Sequence, residues 1–301
     1  MGKPLISIII LNWDKRELLR RCLSSIGRNV EYPNFEVIVV DNNSSDGSVD
    51  MVKRCFPYVR LVKNSANYGF CRGNNEGIRV SKGIPFILNN DTLIQRGAVR
   101  RMVQVLNSDE EIGIVGGTLV TPDGRVQTPG YLFPKNSLLS AVYPSLYERK
   151  VSPTFATFSS QREVCWVSGA ALMIKREAIN EVGMFYEPYF AFCEEVDLCY
   201  RVKRAGYKVV WVADAKIIHI HGATAPLDSK WRRDLSERNR LLFKIKNYPA
   251  IETTKALFLH LMSIFRTIIL WFVRQDRHYL QAARSKIKAY RYIKREAELP
   301  S

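Results

Sequence analysis

The run Leu5-Ile6-Ser7-Ile8-Ile9-Ile10-Leu11 does not alternate between apolar and polar residues. A strand with one wet face alternates, whereas a strand covered on both faces is apolar throughout, as in parallel sheets under crossover helices. The run therefore predicts a central parallel strand over 6–11. It does not read as an export signal, because no small-residue cleavage site follows it. Leu18, Leu19, Cys22, Leu23 and Ile26 then carry helical spacing, and a second buried strand runs from Phe35 to Val40. Helices over 48–55 and 73–80 alternate with strands over 59–62 and 85–88. That alternation predicts an α/β fold, a doubly wound, mostly parallel central sheet with helices on both faces, whose ligands bind at the carboxyl ends of the strands.

The second half is less regular. A helix is expected over 98–106, a strand over 112–119, a turn at Thr121-Pro122-Asp123-Gly124, and a long loop over 131–162 that forms a substrate wall. A single strand over 165–174, a helix over 176–182, a strand over 209–212 and an extended segment over 216–222 follow. At 301 residues the chain has room for one large domain and an appendage. The division expected is a catalytic domain over 1–228, with a nucleotide half to about 120 and an acceptor half beyond it, and a basic helical region over 229–301.

A net charge of +16 points to a polyanionic partner: nucleic acid, an anionic membrane surface or a phosphorylated substrate. No aromatic RNA-binding pattern, helix-turn-helix signal or zinc spacing is present, so nucleic acid is not the expected partner. The six cysteines form no CxxC pair and read as reduced thiols of a cytosolic compartment.

Three strand ends carry polar clusters: Asn12-Trp13-Asp14, Asp41 to Asp46, and Asn89-Asn90-Asp91. Each alone is compatible with turn chemistry; three at one edge of one sheet favour a site. A further cluster, Glu194-Glu195-Val196-Asp197, opens a helix running towards Gly206. Carboxylates this close push one another's pKa values apart, which suits proton transfer; the competing reading is helix-start acids with Asp197 paired to Arg201.

The segment from Ala256 to Val273 is broadly apolar with a narrow stripe of His260, Ser263 and Thr267, and residues 274–301 carry eight Lys or Arg against three acids. The apolar stretch is short for a membrane span and carries His260 and Arg266, so no transmembrane helix is expected. Such a helix before a basic, aromatic tail reads as an interfacial membrane anchor, the alternative being a helical hairpin packed on the main domain or on a second subunit.

With its motifs in order, residues 4 to about 245 resemble an inverting family 2 glycosyltransferase of the GT-A, Rossmann-like fold, close to the rhamnosyltransferase-like branch. The carriers are Val39 to Ser48, Asn67 to Ile78, Leu88-Asn89-Asn90-Asp91, Trp166 to Ala170, Glu194 to Arg201, and His219-Ile220-His221-Gly222. The resemblance implies a nucleotide-sugar donor, dTDP-rhamnose or a UDP-hexose, a saccharide or lipid-linked saccharide acceptor, and a cytoplasmic protein peripheral at the inner face of the plasma membrane.

It also implies roles. Asn12, Trp13, Asp41, Asn43, Arg72, Asn90, Asp91, Gly169 and Ala170 bind the nucleotide sugar; Trp166 and Glu194 meet the acceptor. Asp91 and His219 hold a divalent cation, Mn or Mg, although Asn89 and Asn90 are neutral where the family pattern is more acidic. Glu195 occupies the base position, with Glu194 and Asp197 as alternatives. A polyprenyl-phosphate sugar transferase shares the donor half and is the second reading; a basic nucleic-acid-binding protein is the third. A processive synthase is disfavoured, since several membrane spans and a Gln-x-x-Arg-Trp motif are missing.

Overall fold

A computed structural model describes residues 2–128, 131–132, 149–150, 161–220 and 229–298. It divides the chain into two compact units, the second taking residues 191–193 and the C-terminal region and the first almost all the rest. In the first unit the order is β1 (Ile6–Asn12), α1 (Arg16–Asn29), β2 (Phe35–Asp41), α2 (Ser48–Cys55), β3 (Arg60–Lys63), α3 (Gly69–Val80), β4 (Ile84–Asn89), β5 (Thr92–Ile94) and α4 (Ala98–Leu106). Then follow β6 (Ile112–Val120), β7 (Val126–Thr128), β8 (Tyr131–Leu132), β9 (Arg149–Lys150), β10 (Gln161–Glu163), β11 (Ala171–Ile174), α5 (Arg176–Val182), α6 (Glu194–Arg204) and β12 (Lys208–His219).

The main sheet runs β10-β12-β6-β11-β4-β1-β2-β3, with β5 beside β12 and β7 beside β6. Its β3-β2-β1-β4 block is parallel. Antiparallel β11 enters between β4 and β6, and β12 runs parallel to β6. In register, Asn12 lies opposite Asp41, and Leu11 opposite Asn89. Three polar strand ends are thereby brought level at one edge.

The unbroken apolar run of β1 has its explanation in the two layers that cover it. Ile8 and Ile10 join the core formed with Leu19, Leu23 and Ile26 of α1. Ile9 faces α3, which approaches so closely that a Cβ on Gly77 would lie 2.3 Å from Ile9 Cγ2. Apolar residues are required on both faces, so the alternation is lost.

Three boundaries differ from expectation. The helix expected over 73–80 begins at Gly69, because the Phe190 carbonyl accepts from the backbone N–H groups of Phe70 at 2.6 Å and Cys71 at 3.1 Å and so caps the first turn. Gly69 has φ +74, and a Cβ there would lie 2.6 Å from the Phe190 ring. Within the strand expected over 165–174, only Ala171–Ile174 is strand in the main sheet, because Ser168-Gly169-Ala170 makes a turn in which Ala171 N–H donates to Ser168 O. Conversely, β12 continues through 213–215, where a register shift between Val212 and Lys216 carries it past Asp214. Most of the loop expected over 131–162, and His221 with Gly222, lie outside the described residues.

The second unit contains α7 (Lys230–Asn247), α8 (Ala250–Arg274) and α9 (Arg277–Glu298). All three pack on one another. Asp234 on α7 accepts from Ser285 Oγ and from Lys288 Nζ, the latter at 2.9 Å, both on α9. Fully buried Asn239 donates to the Ala191 and Phe192 carbonyls at 2.7 Å each. Helix α8, 25 residues long, is long and apolar enough to cross a membrane by length and composition alone.

Candidate active site

At the level edge of β1, β2 and β4 the polar side chains form a relay. Asn90 Nδ2 donates to Asn12 Oδ1 at 2.8 Å; Asn12 Nδ2 donates to Asp41 Oδ1 at 3.3 Å and to Ser44 Oγ at 3.1 Å. Ser44 N–H closes the group on Asp41 Oδ2 at 2.9 Å. Asn12, Asp41 and Asn90 are all buried, and buried polar groups held this way are rigid. Trp13, the next residue, is 44% exposed and leaves an indole accessible at the rim. Asn43 is exposed with φ +61. Its neighbour Asn42 is buried and spans the β2 and α3 ends, donating to Asn67 Oδ1 and Gly69 O at 3.1 Å each and accepting from Asn64 at 2.8 Å. Arg72 stands on α3 with its guanidinium 3.8 Å over the Tyr68 ring.

Asp91 follows Asn90 directly. Pairing of β5 with β12 sets Thr92 opposite His219, and so brings the His219 ring to Asp91, with Nε2 3.4 Å from Oδ1. Both residues are buried, and Asp91 Oδ1 has no hydrogen-bond partner among the described residues. Gln127 on β7 grips the same histidine twice: its Nε2 donates to the His219 carbonyl at 2.9 Å, and its Oε1 stands 2.9 Å from Nδ1. The first bond fixes the amide orientation, since a carbonyl only accepts. Oε1 therefore faces Nδ1, which must carry the proton, and in the neutral ring Nε2 presents a lone pair towards Asp91 Oδ1. Two acceptors aimed at each other across a buried gap fit a cation. Among the described residues no group of three or more His, Cys, Asp or Glu stands ready to hold a metal. The pair would be a partial set, completed by ligand oxygens or water.

The third part is the first turn of α6, with Glu194, Glu195 and Asp197. Asp197 is fully buried and committed: Oδ2 accepts from Arg201 Nε at 2.8 Å and Oδ1 from Tyr189 OH at 3.3 Å, while Arg201 also donates to the carbonyls of Val182, Gly183 and Met184. Of the candidate bases it is the structural one, since its charge is neutralised and both oxygens are occupied. Glu194 is 6% exposed, and its Oε2 has no hydrogen-bond partner among the described residues. Burial, with the Glu195 charge beside it, holds its pKa well above the usual carboxylate range. Glu195 is only half-buried. A Cβ on Gly169 would lie 3.4 Å from Glu195 Cβ and 3.5 Å from Phe70 Cζ, so the turn at Gly169-Ala170 lies against this carboxylate. Ala170 in turn accepts from Asn89 N–H at 2.9 Å, tying the turn to the end of β4. Trp166 is buried.

The expected site residues thus fall into three groups: Asn12, Asp41 and Asn90 in a relay, Asp91 with His219, and Glu194 and Glu195 with Gly169 and Ala170. Arg72, Asn43 and Trp13 make no bond to the relay. Sequence reasoning missed Gln127 and Asn42. The turn at 121–124 signals a hairpin that returns residue 127 beside β6, but the register shift at Leu119/Val120 hides which side chain meets His219.

Residues 7–183 match the glycosyl transferase family 2. The chain is 30% identical over 230 residues, 74% of its length, to the uncharacterized protein y4gI of Sinorhizobium fredii, of which it spans 25%. It is 26% identical over 238 residues to the N-acetylglucosaminyl-diphospho-decaprenol L-rhamnosyltransferase of Mycobacterium tuberculosis, covering 71% of this chain and 75% of that one. Among solved structures, the mannosyltransferase PcManGT from Pyrobaculum calidifontis, in complex with GDP-Man and Mn2+, superposes with a TM-score of 0.59 at 17% identity, over 96% of this chain and 87% of that one. This last likeness speaks for the GT-A fold. With the family matched over more than half its length, the chain belongs to glycosyl transferase family 2, a family of sugar-transferring enzymes.

Proposed function

We propose that the protein transfers one sugar, with inversion, from a nucleotide-sugar donor, dTDP-rhamnose or a UDP-hexose, to a lipid-linked saccharide acceptor at the cytoplasmic face of a membrane. The observation that carries this reading is the buried relay Asn90–Asn12–Asp41 at the carboxyl edge of the parallel block. It offers a fixed carboxylate and amide edge to a base and ribose, where sheets of this kind bind nucleotides, with Trp13 at the rim as a stacking surface and Arg72 as a partner for the diphosphate.

Asp91 and His219 are the residues that would hold a divalent cation, their carboxylate and imidazole set favouring Mn over Mg. Bound there, the cation would act as a Lewis acid on the leaving diphosphate. The residues of α6 act on the acceptor. The acceptor hydroxyl oxygen forms its bond to the anomeric carbon as the bond from that carbon to the phosphate oxygen breaks, the diphosphate leaves with the electron pair, and the hydroxyl proton passes to Glu195. Burial, with the Glu195 charge beside it, raises the Glu194 pKa, which suits this carboxyl to donate a hydrogen bond to the acceptor. Gly169 and Ala170 leave room for the sugar, and Trp166 backs the acceptor side.

The test is a panel of nucleotide sugars offered to the purified chain with a polyprenyl-diphosphate saccharide, Mn added and then chelated. One donor is expected to be consumed, with loss on chelation and recovery on re-addition. Turnover of no donor, or transfer to polyprenyl phosphate itself, overturns the reading, the second outcome in favour of a polyprenyl-phosphate sugar transferase.

A further inference from the structure

Helix α8 is inside out. Its polar stripe faces the other helices: His260 Nε2 donates to the Lys286 carbonyl of α9 at 3.0 Å, and Lys286 Nζ donates to Ser263 Oγ at 2.6 Å and Thr267 Oγ1 at 3.0 Å. Ser263 and Thr267 are buried. Ala256 and Ile264 face inward with that stripe, but five large apolar side chains point away: Phe258 is 61% exposed, Phe265 63%, Ile269 60% and Phe272 61%, with Met262 among them. These five recur at alternating four- and three-residue steps, so they form one continuous stripe along the helix. A water-facing helix shows the opposite arrangement.

We infer that this stripe, Phe258, Met262, Phe265, Ile269 and Phe272, is a membrane-docking surface that lies in the plane of an anionic lipid bilayer. The inference rests on the membrane placement proposed above and names the surface that makes it. Two observations choose the occupant and its geometry. Helices α7 and α9 pack along α8 and carry seven Lys or Arg each; α8 cannot cross the hydrocarbon without drawing those charges in. Residues 230–301 hold seventeen Lys or Arg against six Asp or Glu. Exposed Arg266, beside the stripe, has no ion pair among the described residues. That balance repels a second copy and attracts anionic headgroups, while the arginine stem reaches from apolar surface to phosphate.

The experiment is flotation of the full chain with vesicles of phosphatidylcholine alone or mixed with phosphatidylglycerol. Wild type is expected to float with the mixed vesicles and about tenfold more weakly with the neutral ones. Replacing Phe258, Phe265 and Phe272 together by Ser is expected to weaken partitioning by about a hundredfold, with binding of UDP or dTDP by calorimetry unchanged. Arg266→Gln is expected to lose only a few-fold. Flotation of the triple variant at wild-type strength overturns the inference, as does a wild-type dimer that the triple variant turns into monomer. Orientation has its own readout: indoles placed singly by Phe258→Trp, Phe265→Trp and Phe272→Trp are expected to be quenched alike by shallow brominated lipids. A graded depth along the helix would mean a spanning helix and sink the in-plane surface. Loss of nucleotide binding with flotation retained would count against the transferase reading instead.

Discussion

The relay at the ends of β1, β2 and β4 and the first turn of α6 are both buried and both rich in polar groups, yet they are satisfied in opposite ways. In the relay, Asn12 bonds through both ends of its amide, and both oxygens of Asp41 accept. In α6, Asp197 is equally saturated, but Glu194 keeps a buried oxygen without a partner among the described residues. A satisfied buried group holds a shape; an unsatisfied one holds a free-energy cost that the fold tolerates only where the site uses it. Asp91, buried with an open oxygen facing His219, falls on the second side of that division. On the function proposed above, the contrast separates residues that hold the site's shape from residues left open to a ligand.

The comparison breaks first at Glu195. Glu195→Gln is expected to lower transfer by roughly a hundredfold to ten-thousandfold while nucleotide affinity is kept, measured by turnover beside calorimetry with UDP or dTDP. Near wild-type transfer would remove the base from α6. Next comes Asn12→Ala, which orphans Asn90 Nδ2 and Asp41 Oδ1 together. It is expected to cost about 2–3 kcal/mol in urea unfolding and to weaken nucleotide binding in parallel. A loss of stability with nucleotide binding intact would make the relay scaffold only. Gln127→Leu should act more narrowly, by releasing His219 to either tautomer. Mn affinity, read by electron paramagnetic resonance in the presence of UDP or dTDP, is expected to fall by about tenfold or more, with unfolding little changed. Unaltered Mn binding would mean that the grip on His219 serves β7 alone.

How much of this was legible follows from the range of each signal. The non-alternating β1 run and the polar strand ends point to the sheet and its polar edge, because burial on both faces and strand-end position are local properties of the chain. The i,i+4 pair Asp197–Arg201 was readable for the same reason. The difference between Glu194 and Glu195 was not: adjacent residues of one type are told apart only by how far the fold buries each, here Glu194 almost fully and Glu195 by half. Gln127 was hidden by a register shift, and the early start of α3 by a carbonyl from residue 190. In α8 the stripe of His260, Ser263 and Thr267 was visible, but not that it turns inward to Lys286.

The subtlest expected effect concerns the ionisation of Glu194. The folded chain holds this carboxyl's pKa well above its ordinary value of 4.5, chiefly by burial and then by the charge of Glu195. Below that ordinary value the group is neutral folded and unfolded, and its ionisation costs the fold nothing. As pH rises the unfolded chain ionises first, so stability falls by up to about 1.4 kcal/mol per pH unit until the folded pKa is passed, and then levels. Glu194→Gln removes the ionisation. Its stability relative to wild type is therefore expected to climb in urea unfolding as pH rises above that ordinary value of 4.5. Adding the same change to Glu195→Gln should shorten that climb, since the repelling charge is already gone and only burial remains. Parallel stability curves for wild type and Glu194→Gln would mean that Glu194 ionises in the fold as it does in water, and the division between the relay and α6 would then fail at its own centre.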